Sequence, residues 1–157
     1  MNPSPQPRYA TSATRPRLVG INHVALEVGD LEEALEFYGA IFELSGIDRE
    51  PGMAFLDMGD QFIALSQGRA QPRDDARHFG LVVDNKAATR AALERHGAET
   101  LPGSRLDFLD PWGNRIQVVD YRDIQFMKAP PVIRGMGLDH LRKRQTAIGQ
   151  LEDKGLA

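Results

Sequence analysis

Asn22-His23-Val24-Ala25-Leu26-Glu27-Val28-Gly29-Asp30 decides the reading of this chain, because its pattern returns as Arg77-His78-Phe79-Gly80-Leu81-Val82-Val83-Asp84-Asn85. The two histidines stand 55 positions apart. In the first copy Val24, Leu26 and Val28 alternate with His23, Ala25 and Glu27, the two-residue period of a strand with one buried face. Asp30 follows as a helix N-cap, with Glu33 three residues on in the capping-box position. Leu31, Ala34, Leu35, Tyr38, Ile41 and Phe42 then recur at helical spacing, which packs them on the Val24/Leu26/Val28 face.

The repeat extends beyond this entry. Pro51-Gly52 and Gly59-Asp60 punctuate two short strands, Met53–Met58 and Gln61–Gln67, the second turn reading as a hairpin. After a polar linker from Gly68 to Asp75, the His78–Val83 strand leads into a helix over about Asn85–His96, which Gly97 ends. Strands Leu106–Leu109 and Arg115–Tyr121 flank Asp110-Pro111-Trp112-Gly113-Asn114, where Pro111 and Gly113 suit a turn. Phe55-Leu56-Asp57 matches Phe108-Leu109-Asp110, and Ile63 matches Ile116, both at an offset of 53. A strand–helix–strands unit therefore occurs twice, a pairing rather than a long array.

The chain of 157 residues has room for one well-packed domain. Its net charge of −3 offers no basic footprint for nucleic acid. It contains no cysteine, so disulfides, thiolate metal ligands and a cysteine nucleophile are excluded. Residues 1–17 are polar and proline-rich and form an expected arm. No sustained apolar run signals a membrane span or a leader, which makes a cytoplasmic protein the expectation. Residues 122–157 have no counterpart in the first half. Ala129-Pro130-Pro131 reads as a stiff hinge, and a helix is expected over Asp139–Lys154, with Arg142-Lys143-Arg144 on a solvated face.

With both copies laid out, the sequence resembles the vicinal oxygen chelate superfamily, the glyoxalase, bleomycin-resistance and extradiol-dioxygenase group. The matching residues are His23, Leu26, Val28 and Asp30, then Phe37-Tyr38, His78 and the Asp110–Ile116 turn and strand. The resemblance covers residues 19–121. It implies an α+β fold of two tandem βαβββ modules, one over 18–68 and one over 76–121, whose mixed sheet curls into a cup. It also implies a small-molecule ligand and a homodimer.

Carried over by motif, the family's metal-facing positions are His23, Ala64, His78 and Gln117. Two final-strand positions that are usually acidic in the family are thus Ala64 and Gln117. His23, His78 and Gln117 remain as a candidate set for zinc, iron, manganese or nickel, without a carboxylate among them. Glyoxalase-type proton transfer needs a base within reach, and neither Ala64 nor Gln117 can act as one. The leading expectation is therefore a cup that binds a small organic ligand without the usual acidic metal ligands. Its expected lining is His23, Ala25, Glu27, Phe62, Ala64, Ser66, His78, Gln117 and Tyr121. The alternative is a divalent-metal lyase or dioxygenase relative using His23, His78 and Gln117. No catalytic residue is assigned. No phosphate loop or G-x-S-x-G elbow is present.

Overall fold

The computed structural model describes residues 16–157, so the expected arm, apart from residues 16 and 17, lies outside the described residues. The first copy is β1 (His23–Val28), α1 (Leu31–Ile41), β2 (Ile47–Glu50), β3 (Met53–Asp57) and β4 (Phe62–Gln67). The second is β5 (Phe79–Val83), α2 (Lys86–Arg95), β6 (Glu99–Thr100), β7 (Leu106–Leu109) and β8 (Arg115–Asp120). Each makes a four-stranded mixed sheet, ordered β1-β4-β3-β2 and β5-β8-β7-β6. In both, the opening strand pairs parallel with the last and the remaining pairs are antiparallel. This is the α+β, tandem βαβββ architecture.

Capping chemistry fixes both helices where the sequence places them. Asp30 accepts the Glu33 backbone N–H at 3.0 Å, and Asn85 accepts that of Ala88 at 3.0 Å. Gly97 has φ +62°, the left-handed geometry that ends α2 without a Cβ clash. Val28, Ala34, Leu35 and Tyr38 are buried, as the two periodicities require. They join Leu81, Leu93, Leu106, Phe108, Ile116 and Val118 in a single core. Phe37 and Phe42 tilt against Phe108 across the module boundary, each at 6.3 Å between ring centroids.

The Asp110–Asn114 turn is the mechanical joint between the copies. Asp110 is buried and accepts from Tyr38 Oη at 2.8 Å, Trp112 N at 3.0 Å, Asn114 N at 2.9 Å and Asn114 Nδ2 at 2.7 Å. Asn114 Nδ2 also donates to the Glu27 carbonyl at the end of β1, 2.9 Å away. Trp112 lies on Gly29, where an added Cβ would stand 2.4 Å from its Nε1. Its indole thus clamps the first copy to the second.

The C-terminal extension departs from expectation in two places. Pro130-Pro131 opens a short helix, α3 (Pro130–Gly135), because the first helical positions need no N–H donor. The final helix is shorter than expected, α4 (Gln145–Glu152), since Leu141 and Arg142 turn back on Leu138 and Asp139. Lys143 is not on a solvated face. Its ammonium donates to the carbonyls of Tyr121, Ile124 and Phe126 and sits 3.5 Å from the Tyr121 ring centroid. Burial pushes the Lys143 pKa down to about 8, against the opposing charge of Asp120. Arg144 pairs with Asp123. At the other end of the extension, Val132 and Met136 close over Gly59 and Lys128 pairs with Asp60. The extension therefore touches both copies. No helix among the described residues is long and apolar enough to cross a membrane.

Candidate functional site

Beyond β4 the chain turns sharply at Gly68 (φ +100°), where Gly68 N and Arg69 N both donate to the Val28 carbonyl. That turn throws the Arg69 side chain inward, leaving it only 4% exposed. Its guanidinium donates to the carbonyls of Gln71 (3.2 Å) and Pro72 (2.6 Å) and to Asn114 Oδ1. A buried arginine satisfied largely by carbonyls is a rigid positive centre, and the linker 69–77 folds around it.

The linker and the free edge of β1 border an open cavity of about 320 Å³ at the junction of the two copies. Val24, Leu26 and Phe79 give it apolar walls, and Glu27, Ser66, Arg77 and His78 are among its polar lining. Glu27 Oε2 accepts from Gln71 Nε2 at 2.9 Å, and Gln71 Oε1 accepts from Arg77 at 2.8 Å. Burial alone would raise the Asp74 pKa. The bond from Arg77, the Arg115 backbone N–H and the nearby guanidinium charges outweigh it and hold the carboxyl below its ordinary value. His78 Nδ1 lies 2.8 Å from the Ala76 carbonyl. A carbonyl only accepts, so Nδ1 carries the proton and the neutral ring keeps Nε2 as its acceptor. The cavity thus combines two signs of charge around an apolar wall, the composition of a small-molecule site.

A second concavity, about 500 Å³, lies on the face of the first sheet away from its helix. Phe55 and Phe62 form its floor, ring centroids 5.8 Å apart, with Asp48, Glu50, Asp57 and Asp60 around them. His23 lies flat on Phe62 at 4.7 Å and 7°.

The structure brings Glu27, Ser66 and His78 together in the junction cavity. It places Phe62 in the other concavity, with His23 against it. Ala64 is buried between its cross-strand neighbours Ala25 and Phe55 and lines neither space. Gln117, half-buried on β8, sits opposite Gly80 and Asp107. Tyr121 opens a 3₁₀ turn and is packed against Phe126 and Lys143, outside both cavities. Arg69, Gln71, Asp74 and Arg77 carry the site's geometry, and in the sequence they are only part of a polar linker. Three arginines within nine residues, immediately before the second histidine, were the available signal.

The candidate metal ligands stand in different surroundings. Only His78 of the candidate ligands lines the junction cavity, while His23 is stacked on Phe62. Among the described residues no three His, Asp or Glu side chains are grouped to hold an ion. No His, Asp or Glu triad among the described residues therefore stands ready for a divalent metal, and no chemistry is routed through one.

Two mixed four-stranded sheets of identical order, joined through one core, define a duplicated α+β scaffold. Residues 20–118 match the Glyoxalase/Bleomycin resistance protein/Dioxygenase superfamily, and the chain belongs to it. Among solved structures, a glyoxalase-family protein from Bacillus anthracis is similar at 23% identity and TM-score 0.58, covering 68% of this chain and 98% of that one. The fosfomycin resistance protein FosX from Listeria monocytogenes is similar at 18% identity and TM-score 0.56, over 66% of this chain and 94% of its own. A FosX mutant has been solved with Mn(II) and 1S,2S-dihydroxypropylphosphonic acid. An integron cassette protein from V. cholerae is similar at 20% identity and TM-score 0.55, over 69% and 99%. These likenesses establish the shared fold.

Proposed function

We propose that this protein binds a small polar organic ligand in the cavity at the junction of its two modules. The observation that carries the reading is the convergence there of Glu27 from β1, Ser66 from β4 and His78 at the entrance to β5. Arg77 suits a carboxylate, phosphate or phosphonate, while Glu27 and the His78 Nε2 acceptor suit hydrogen-bond donors elsewhere on the ligand. The buried Arg69 network pre-orders the wall, which lowers the ordering cost of binding.

The test is a thermal-shift screen of small carboxylates, phosphate esters and phosphonates, since a ligand of the native state raises Tm by mass action. Compounds that shift the native chain should lose their effect in Glu27→Ala and His78→Ala variants. A panel without a single hit would contradict the reading. Metal-dependent lyase or dioxygenase chemistry at His23, His78 and Gln117 is the competing reading. A full equivalent of metal, removed by His78→Ala, would favour it. A cytoplasmic homodimer remains part of the proposal, with light scattering at micromolar concentration as its check.

A further inference from the structure

Gln71 stands between opposite charges in the junction cavity, and its orientation is forced. Its Nε2 donates to Glu27 Oε2 at 2.9 Å, and its Oε1 accepts from Arg77 Nη2 at 2.8 Å. A carboxylate only accepts and a guanidinium only donates, so the amide fits one way round. A carboxylate from β1 and a guanidinium from the linker are thus held one amide group apart. The two charges differ in what else they have. Arg77 donates to Asp74 Oδ1 through Nε at 3.0 Å and through Nη2 at 2.6 Å. Arg115, also on the cavity wall, donates to Asp107 Oδ2 through Nε at 3.0 Å and through Nη2 at 2.6 Å. Both cations therefore have a carboxylate already. Glu27 has no ion-pair partner among the described residues, and the Gln71 amide is its one side-chain hydrogen-bond donor there.

A ligand that brought only negative charge would meet arginines that are already paired and would cover Glu27 without answering its charge, which costs affinity. From this asymmetry we infer that the ligand of the junction cavity is a zwitterion of the α-amino acid class. Its ammonium sits on Glu27 and its carboxylate on Arg77 Nη1, which bonds none of the described residues. The Gln71 amide already shows the required polarity, a donor toward Glu27 and an acceptor toward Arg77. A single amide spans the two charges, and that short span suits an ammonium and a carboxylate borne on one carbon. Val24, Leu26 and Phe79 then face the substituent on that carbon, which favours an apolar side chain. This assignment rests on the junction cavity being a ligand site, and it adds the positive charge that an anion lacks.

Alanine, valine, leucine and phenylalanine, each free, N-acetylated and C-amidated, are titrated by calorimetry into the native chain at neutral pH. Acetylation removes the ammonium and amidation the carboxylate, so the series itself needs no variant to fold. At least one free amino acid should bind about tenfold tighter than both of its capped forms, the scale of one charge-assisted hydrogen bond. In Glu27→Gln, first shown by circular dichroism to melt like the native chain, the preference over the N-acetyl form should disappear while the preference over the amide stays. An N-acetyl form that binds as well as the free amino acid overturns the zwitterion and leaves an anion site in the cavity. A preference that survives Glu27→Gln overturns the role of Glu27. If no free amino acid binds, the α-amino acid class falls. The ligand site itself falls only if carboxylates, phosphate esters and phosphonates also leave Tm unmoved.

Discussion

Removing the Asn114 side chain should loosen the joint between the two modules. Asn114→Ala deletes donations to the Glu27 carbonyl at 2.9 Å and to Asp110 Oδ2 at 2.7 Å, together with the bond from the buried Arg69. Two of these involve a charged partner, worth about 1.5–3 kcal/mol each, and the third about 1 kcal/mol. Arg69 keeps its carbonyl partners and Asp110 keeps the Tyr38 hydroxyl, so the sum overstates the loss. We expect about 3 kcal/mol, or a Tm lowered by about 10 °C. Tyr38→Phe alone should cost about 2 kcal/mol, because burial, with Asp110's charge adding, holds the phenol well above its ordinary pKa and it stays a donor. Both residues serve Asp110, so the double variant should depart from additivity by about 0.5 kcal/mol or more. Urea unfolding at neutral pH measures all four corners of the cycle. Trp112, the only tryptophan, sits in the joint and reports on it by fluorescence, while circular dichroism follows the whole chain. A loss below about 1 kcal/mol for Asn114→Ala, or strict additivity, would refute the joint as described.

Three other outcomes follow from the same geometry. Gly29→Ala drives a methyl into Trp112 and should destabilise by about 1–3 kcal/mol, with a changed Trp112 emission in the folded state. Asp120 has its carboxyl pKa lowered by the Arg122 side chain, against burial and with backbone N–H groups assisting. Its folded pKa is below the unfolded one, so its stabilisation is present above about pH 4 and is lost as pH falls. Asp120→Asn should therefore cost about 2 kcal/mol at neutral pH, and its acid unfolding curve should converge on the native one. Lys143→Met removes three carbonyl contacts and should expose residues 122–157 to limited proteolysis, while the sheets remain protected.

What could be read in the sequence depended on burial. β1, α1 and α2 were legible because one face of each packs on the core and so carries a period, with Asp30 and Asn85 marking the starts. β2 and the two-residue β6 were not located by their own residues. Every residue of both is exposed, so no alternation distinguishes them from loop. The Pro130-Pro131 pair punctuates a chain equally well as a hinge or as a helix start, and only the packing of Val132 and Met136 on Gly59 separates the two. For the site, strand alternation put His23, Glu27, Phe62 and Ser66 on one face. Alternation cannot say that a sheet face is divided between two cavities, which depends on where the linker folds. Arg69 decides that: Gly68 turns it inward, but the bond that ties it to the second copy is to Asn114, 45 residues away, which no local pattern encodes.

The most direct test of the junction cavity as a ligand site is the thermal-shift panel measured in parallel on the native chain, Glu27→Ala and His78→Ala. At least one small anionic compound should raise the native Tm, with the rise lost in both variants. Hits that persist unchanged in both variants, or no hit across the panel, would contradict it.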